Sequence, residues 1–497
     1  MAPKASLARG LNQIGLRSLM RETLVNAVPG HTHQASLDPS AFGDRSGDSR
    51  ERELSDFWGV RVPGSGVWDC VFVGAVASKN DLGFDIAASL PLLSAGLDAH
   101  ENGDFTASVL LADQLLDSLT QAPRIEQHTA HAYRWSPMFR THRTLPDRLP
   151  ADWADRVRAG WLGQLAGAAF GAPFQACTGD AIGEVYGAVN RFAGPPGATN
   201  EIIGYQLAAV EALETVGRGV SAADFGGSWC DRIVAARKTE WVALDNLRSG
   251  LGAPRSAWHR NPMTEWSGAQ SRSMVFGLIA PSWPLEAARL AQIEASVSHA
   301  GAGIESAAFG ALVVSYAFLH QDPRAAVLAA AHDLSSSRGE FAAVIRSCLD
   351  VCRRTTDSDV ARIELLARFE DRYWDHSFPN IASVLVALWF GDGDFTRSMA
   401  LVANSGLNTV GNAALVGTVL GVVNSSVPSW WSNPIKERMQ STRPDVATLA
   451  TGATVTTVAT VATVATVATV TTVATVALDS LVHQSCSVAE TFRFDGR

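Results

Sequence analysis

The chain has 497 residues, 47% apolar and 18% charged, enough for a large buried core and, by length, for about three domains. Lys and Arg number 40 against 49 Asp and Glu, a formal charge of −9, which argues against a general nucleic-acid binder because such proteins displace counterions with a basic excess. The cysteines, Cys70, Cys177, Cys230, Cys348, Cys352 and Cys486, are too sparse for a disulfide scaffold or a four-ligand zinc site and read as buried thiols of a reducing compartment.

Residues 1–53 read as a disordered leader ending in the polar run DRSGDSRERE. Its start carries Lys4, Arg9, Arg17 and Arg21 against Glu22. That bias fits a mitochondrial presequence, but the frayed leader of a cytoplasmic protein is the simpler reading. Residues 54–150 read as an N-terminal helical extension. The run from Val67 to Val76 is interrupted by Asp69, and GFDIAASLPLLSAGLDAHENGDFTASVLLADQLLDSL has apolar residues at helical spacing. The Pro-containing 136–150 stretch is a connector. Residues 151–440 predict helix after helix with Gly and Pro punctuation, hence one all-α domain.

Residues 441–497 read as a low-complexity Ala/Thr/Val tail. No charge occurs from Val446 to Leu478, and valines recur every third residue from Val455 to Val476. In an α-helix such a stripe drifts about 60° per triplet. The run is long enough to cross a bilayer, where about 20 residues suffice, and Lys436, Arg438 and Arg443 precede it. It is rich in Thr and nearly free of Leu, Ile and Phe, so a low-complexity expansion is preferred to a tail anchor.

Four segments carry a resemblance: DRVRAGWLGQLAGAAFGAPFQ (155–175), TNEIIGYQLAAVEALETVG (199–217), Asn261 to Phe318 with its SHAGAG, and His376 to Val423 with HSFPN and GLNTVGNAA. In this order they resemble the ADP-ribosylglycohydrolase family. The resemblance implies a compact orthogonal multi-helix domain with a cleft for two magnesium ions. It implies hydrolysis of the glycosidic bond joining the anomeric carbon of ADP-ribose to an arginine or serine side chain, or of a related ribosyl bond. Such cleavage develops oxocarbenium character and needs an activated water. Two hard cations can orient substrate and water, but they want oxygen ligands and about four carboxylates.

This sequence departs from that pattern. The family's Asp-Asp-Thr run falls on Glu201, Ile202 and Ile203, and the Asp that often follows is Gly204. The Gly-x-Asp-Thr-Asp run is Gly406-Leu407-Asn408-Thr409-Val410. The Glu ending the first segment is Gln175, and an Asp of the third is Met274. Removing these charges removes mutual repulsion that only a metal would relieve. The degenerate positions Glu201, Ile202, Ile203, Asn408 and Val410 are therefore expected to form no metal site, with no cofactor. Glu201 is the surviving candidate catalytic carboxylate. His299, Gly301, Gly303, Asn408, Thr409 and Asn412 are the candidate contacts for an ADP-ribose-like or nucleoside-like ligand, the glycines through backbone N–H groups.

Plainer roles compete for several residues: a loop-positioning His299, a helix-starting His376, a helix-end charge for Glu265, and a C-cap then N-cap in GDGDF (391–395). The function expected is a weak, metal-independent or repurposed glycohydrolase. The alternative is an inactive family member serving as a binding or regulatory module, with a hydrophobic ligand beside Ile202, Ile203 and Val410 as a further option.

Overall fold

The computed structural model describes residues 13–25, 27–29, 47–125, 149–196, 201–233, 236–334, 339–441 and 478–494. The first part holds α1 (Gln13–Val25), α2 (Gly47–Asp56), the ribbon β1 (Val60–Arg61) and β2 (Trp68–Asp69), α3 (Val71–Asp81), α4 (Leu90–Glu101) and α5 (Phe105–Gln121). The domain then runs through α6 (Trp153–Gly171), β3 (Cys177–Thr178), α7 (Gly179–Tyr186), α8 (Glu201–Val216), α9 (Ala222–Arg232), α10 (Lys238–Arg248), α11 (Gly268–Arg272), α12 (Met274–Ile279), α13 (Pro284–Ala295) and α14 (Ala302–Ala317). It continues with α15 (Pro323–Leu334), α16 (Glu340–Arg354), α17 (Ser358–Ala367), α18 (Ser377–Phe390), α19 (Phe395–Ser405), β4 (Gly406–Leu407), α20 (Thr409–Asn424), α21 (Ser429–Ser441) and α22 (Leu478–Phe494). The architecture is all-α, as expected. Among the described residues the sheets are the antiparallel pairs β1–β2 and β3–β4, the latter with Cys177 opposite Leu407.

Glycines every fourth residue set the centre. Gly163, Gly167 and Gly171 on α6 face α20 so closely that a Cβ would lie 2.0–2.2 Å from the carbonyl oxygens of Gly417, Ala413 and Thr409. The two backbones touch, and Thr409 Oγ1 donates to Gly171 O at 2.7 Å. This contact fixes the N-terminus of α20, where Asn408 sits. The helices around it, α14 and α18, are apolar nearly all round and buried, as core helices are. The GDGDF stretch behaves as expected: Gly391 closes α18 and Asp394 caps α19 through the Arg397 N–H.

Two segments differ from expectation. The leader was read as disordered, yet α1 packs on α3 with Leu16, Leu19 and Met20 buried, and α2 buries Leu54. The i, i+3, i+4 spacing in α1 is an apolar face that a basic bias masked. At the other end, α22 lies inside the stretch read as tail. It buries Leu481, Val482, Val488 and Phe492 against α6, α8 and α12, and Trp161 Nε1 donates to Ser485 Oγ at 3.0 Å. The valine-rich run up to residue 477 and most of the 136–150 connector lie outside the described residues. Cys70, Cys177, Cys348 and Cys352 are buried, and burial pushes each thiol up to about 12; Cys230 and Cys486 are half-buried. Among the described residues no single helix is long and apolar enough to cross a membrane.

Candidate functional site

The segment Thr264–Ser273 runs between α10, α14, α18 and α20, and it gathers two buried polar networks. The first centres on Asp375, just before α18. Ser267 Oγ donates to Asp375 Oδ1 at 2.6 Å, and Asn408 Nδ2 donates to the same oxygen at 3.0 Å and to Ser267 Oγ at 2.9 Å. Asn408 Oδ1 caps α20 by accepting from Gly411 N at 3.0 Å. Asn380 ties the network to α18: its Oδ1 accepts from Asn408 N and from Asn412 Nδ2, while its amide donates to the Trp374 and His376 carbonyls. Gln270 Nε2 lies 3.4 Å from Asn412 Oδ1.

The cation of this network is Lys238. Its Nζ lies 2.9 Å from Asp375 Oδ2, 3.5 Å from Asp69 Oδ2 and 3.9 Å from the centre of the Trp374 ring. Burial alone would lower the lysine's pKa; Asp375 and Asp69 outweigh it and hold the ammonium above its ordinary range. Asp69 belongs to the N-terminal extension, and its Oδ1 accepts from the Tyr373 hydroxyl and from Trp374 Nε1.

The second network centres on Arg272. Its Nε donates to both oxygens of Glu294 at 2.8 and 3.0 Å, Nη1 to Glu240 at 2.8 Å and Nη2 to Ser298 Oγ at 2.8 Å. His299 joins it. Its Nε2 accepts from Ala269 N at 3.3 Å, which leaves Nδ1 to donate to Ser298 Oγ at 2.7 Å. Burial, and then the charge of Arg272, push His299 well below the usual histidine range, so it is a neutral linker at physiological pH.

The structure thus brings Asn408 and Asn412 together in one network and sets His299 in the other. Thr409 turns away to Gly171. Gly301 has φ +52°, and a Cβ there would lie 2.1 Å from Glu265 Oε1; Gly303 is pressed on the Thr264 carbonyl and its N–H donates to Ala300 O. Glu265 accepts from Ala302 N at 3.1 Å, at the start of α14, and stands 3.6 Å from His376 Nε2. Burial pushes its carboxyl up, but the bond and charge of His376, the Ala302 amide and Arg372 together hold it below the usual range. His376 caps α18, which starts at Ser377, by accepting from Phe378 N. Ile202 and Ile203 are buried, and Val410 is half-buried against the hydrophobic core. Glu201 opens α8, and its side chain lies outside the described residues.

Lys238, Asp375, Asp69 and Arg272 carry these networks; sequence reasoning gave none of them a functional role, and Asp69 stood out only as a break in an apolar run. Asp375 directly precedes HSFPN, a signal that was available. Lys238 starts a charged helix, KTEWVALDNLR, where a lysine ordinarily faces water.

A cavity of about 490 Å³ adjoins the first network. It lies between α1, the Trp68–Val73 stretch, β3 and α17, and Asp69, Tyr373 and Trp374 stand in its wall. None of the expected contacts, His299, Gly301, Gly303, Asn408, Thr409 and Asn412, is in that wall, although Leu407 is.

The model of one protein family, described as ADP-ribosylglycohydrolase, matches residues 149–462, well over half of the chain. The chain belongs to the ADP-ribosylglycohydrolase family. A solved structure, an ADP-ribosylglycohydrolase-related protein complex, is 20% identical over 57% of this chain and 92% of its own, with a TM-score of 0.41. No curated protein matches the chain.

The residues present do not fit the two magnesium ions that the family resemblance implies. Asn408 turns N–H groups toward Asp375 and spends its oxygen on Gly411; Thr409 donates to a carbonyl; Asp375 is already bound by Ser267, Asn408 and Lys238. Among the described residues no three acidic, histidine or cysteine side chains are grouped to hold a metal ion. Asp375 and Asp69, two carboxylates already sharing the Lys238 ammonium, cannot balance two divalent cations.

Proposed function

We propose that this ADP-ribosylglycohydrolase family member binds an ADP-ribose-like or nucleoside-like ligand without magnesium, and that metal-assisted hydrolysis of the ribosyl bond is weak or absent. One observation carries the reading: the Lys238 ammonium and the Asn408 amide close the Asp375 network with protein groups alone. A lysine supplies a fixed single charge that can steady an anionic group. It does not lower the pKa of a bound water as a divalent ion does.

The test uses the full chain. Calorimetric titration of ADP-ribose is run in EDTA and in magnesium, beside turnover of ADP-ribosylated arginine and serine peptides. The expected result is the same affinity in both buffers and no magnesium-stimulated release. Binding that needs magnesium, or turnover that rises with it, overturns the reading.

A further inference from the structure

We infer that the cavity between α1 and α17 is a binding site for an uncharged, mostly apolar small molecule with a flat ring, whether or not the chain also binds ADP-ribose. The charges of the wall set the class. Among the described residues, Arg21, Arg362 and Arg372 line the cavity against Asp69, Asp180 and Glu370, so it presents no net charge. These groups are already spent on the protein. Arg21 pairs with Glu370 at 2.9 Å, Arg372 with Asp81 at 3.0 Å and Arg362 with Asp359 at 3.3 Å. Asp69 is held by Tyr373, Trp374 and Lys238, and Asp180 stands in the first turn of α7, where a helix favours an acid. An ionic ligand would have to break these pairs, whereas an uncharged one leaves them in place.

Apolar surface is what the wall leaves uncovered, and α17 shows it most plainly. Ala361 and Leu365 are the buried face of that helix, which packs on α18. At about 100° per residue, Ile363 lies about 160° from both, on the opposite side. Yet Ile363, in the cavity wall, is 59% exposed, Val360 one turn before it is 52% exposed, and Ala367 one turn after it is exposed too. A surface helix ordinarily turns its polar side outward; this one carries a second apolar face beside the cavity. Met20 and Leu24 of α1 stand in the same wall, and Trp68 and Phe369 supply flat rings. Covering such surface is favourable roughly in proportion to its area. The space is walled by α1, the Trp68–Val73 stretch, β3 and α17, and its volume of about 490 Å³ lies within the usual range of small-molecule sites. A helix or an extended peptide would need an open groove instead.

The experiment titrates N-phenyl-1-naphthylamine, an uncharged dye of flat rings that brightens out of water, into the full chain by fluorescence. One saturable site is expected, with an affinity that changes less than about twofold between about 0.05 and about 0.5 M salt, because no ionic contact holds the dye. The sulfonated analogue 8-anilinonaphthalene-1-sulfonate is expected to bind no more tightly. Ile363→Asp is expected to weaken the dye at least about tenfold with an unchanged melting temperature, since the position is exposed in the free protein but the ring would desolvate the new charge. Ala367→Glu, at a second exposed position of the wall, is expected to do the same. Leu110→Asp, at an apolar residue of α5 that is 57% exposed and outside the cavity, is expected to leave the affinity unchanged.

Wild-type affinity in either folded wall variant, or an equal loss in Leu110→Asp, overturns the site, and so does the absence of saturable binding. If one wall variant fails to fold, the other decides alone. A sulfonate that binds more tightly than the uncharged dye, with an affinity that falls as salt rises, overturns the uncharged class. None of these outcomes bears on metal-independent binding of ADP-ribose, which its own titration decides.

Discussion

At Asn408 a single heavy atom, an amide nitrogen where an aspartate has a carboxylate oxygen, makes the side chain a donor to Asp375. An aspartate there would set a second carboxylate 3.0 Å from Asp375 Oδ1, where the amide now donates. The sequence showed the change of charge, and with it the expected loss of the binuclear site. It could not show which groups surround Asn408 and Asp375, because Lys238 and Asp69 come from segments far apart in the chain. Asn408→Asp exchanges a hydrogen bond to a charged group for a like-charge contact. It is expected to lower stability by about 2–3 kcal/mol in urea unfolding at neutral pH. Magnesium is expected not to restore it, because Ile202 and Val410 still offer no oxygen. Recovery of the urea midpoint on adding magnesium would mean that a cation can still enter. His299 teaches the complementary lesson: a histidine before a Gly-rich turn looked like a ligand contact, but both ring nitrogens are spent on Ala269 and Ser298.

At the scale of elements, the α6–α20 contact decides where the site can be. The GQLAGAAFG pattern was legible as a Gly/Ala-rich helix, but the partner helix was not, since nothing local names a contact across some 250 residues. Gly417→Ala tests the contact with a definite sign. Alanine favours a helix over glycine by up to about 1 kcal/mol. Here, however, its Cβ would lie 2.2 Å from Gly163 O, a backbone atom that cannot rotate away. Overpacking of this kind costs about 1–3 kcal/mol or more, so a net loss of about 2 kcal/mol is expected in denaturant unfolding. Gly183→Ala in α7, whose Cβ meets open space, is expected to be neutral or to stabilise by up to about 1 kcal/mol. Equal effects from the two substitutions would mean that the helices do not touch at Gly417.

At the scale of the whole molecule, both ends of the chain return to the domain. The all-α class was legible because helical periodicity and glycine punctuation are local signals. The ends were misread because a basic bias masked the apolar face of α1 and because a low-complexity run precedes α22. Yet α1 stands in the wall of the cavity, and α22 covers α6 beside Trp161. Ending the chain at residue 477 tests how far the last helix belongs to the core. It uncovers the surface that Leu481, Val482, Val488 and Phe492 bury, and it strips the Trp161 indole N–H of its acceptor. Losing those side chains and that bond is expected to cost at least about 3 kcal/mol in urea unfolding, with a red shift of tryptophan emission. A synthetic peptide of residues 478–497 is then expected to restore both in a concentration-dependent way, since a partner that binds only the folded state stabilises by mass action. A truncated chain with wild-type midpoint and emission would place α22 outside the cooperative core, and the stability of the α6–α20 centre would then rest on the glycine contact and the helices around it.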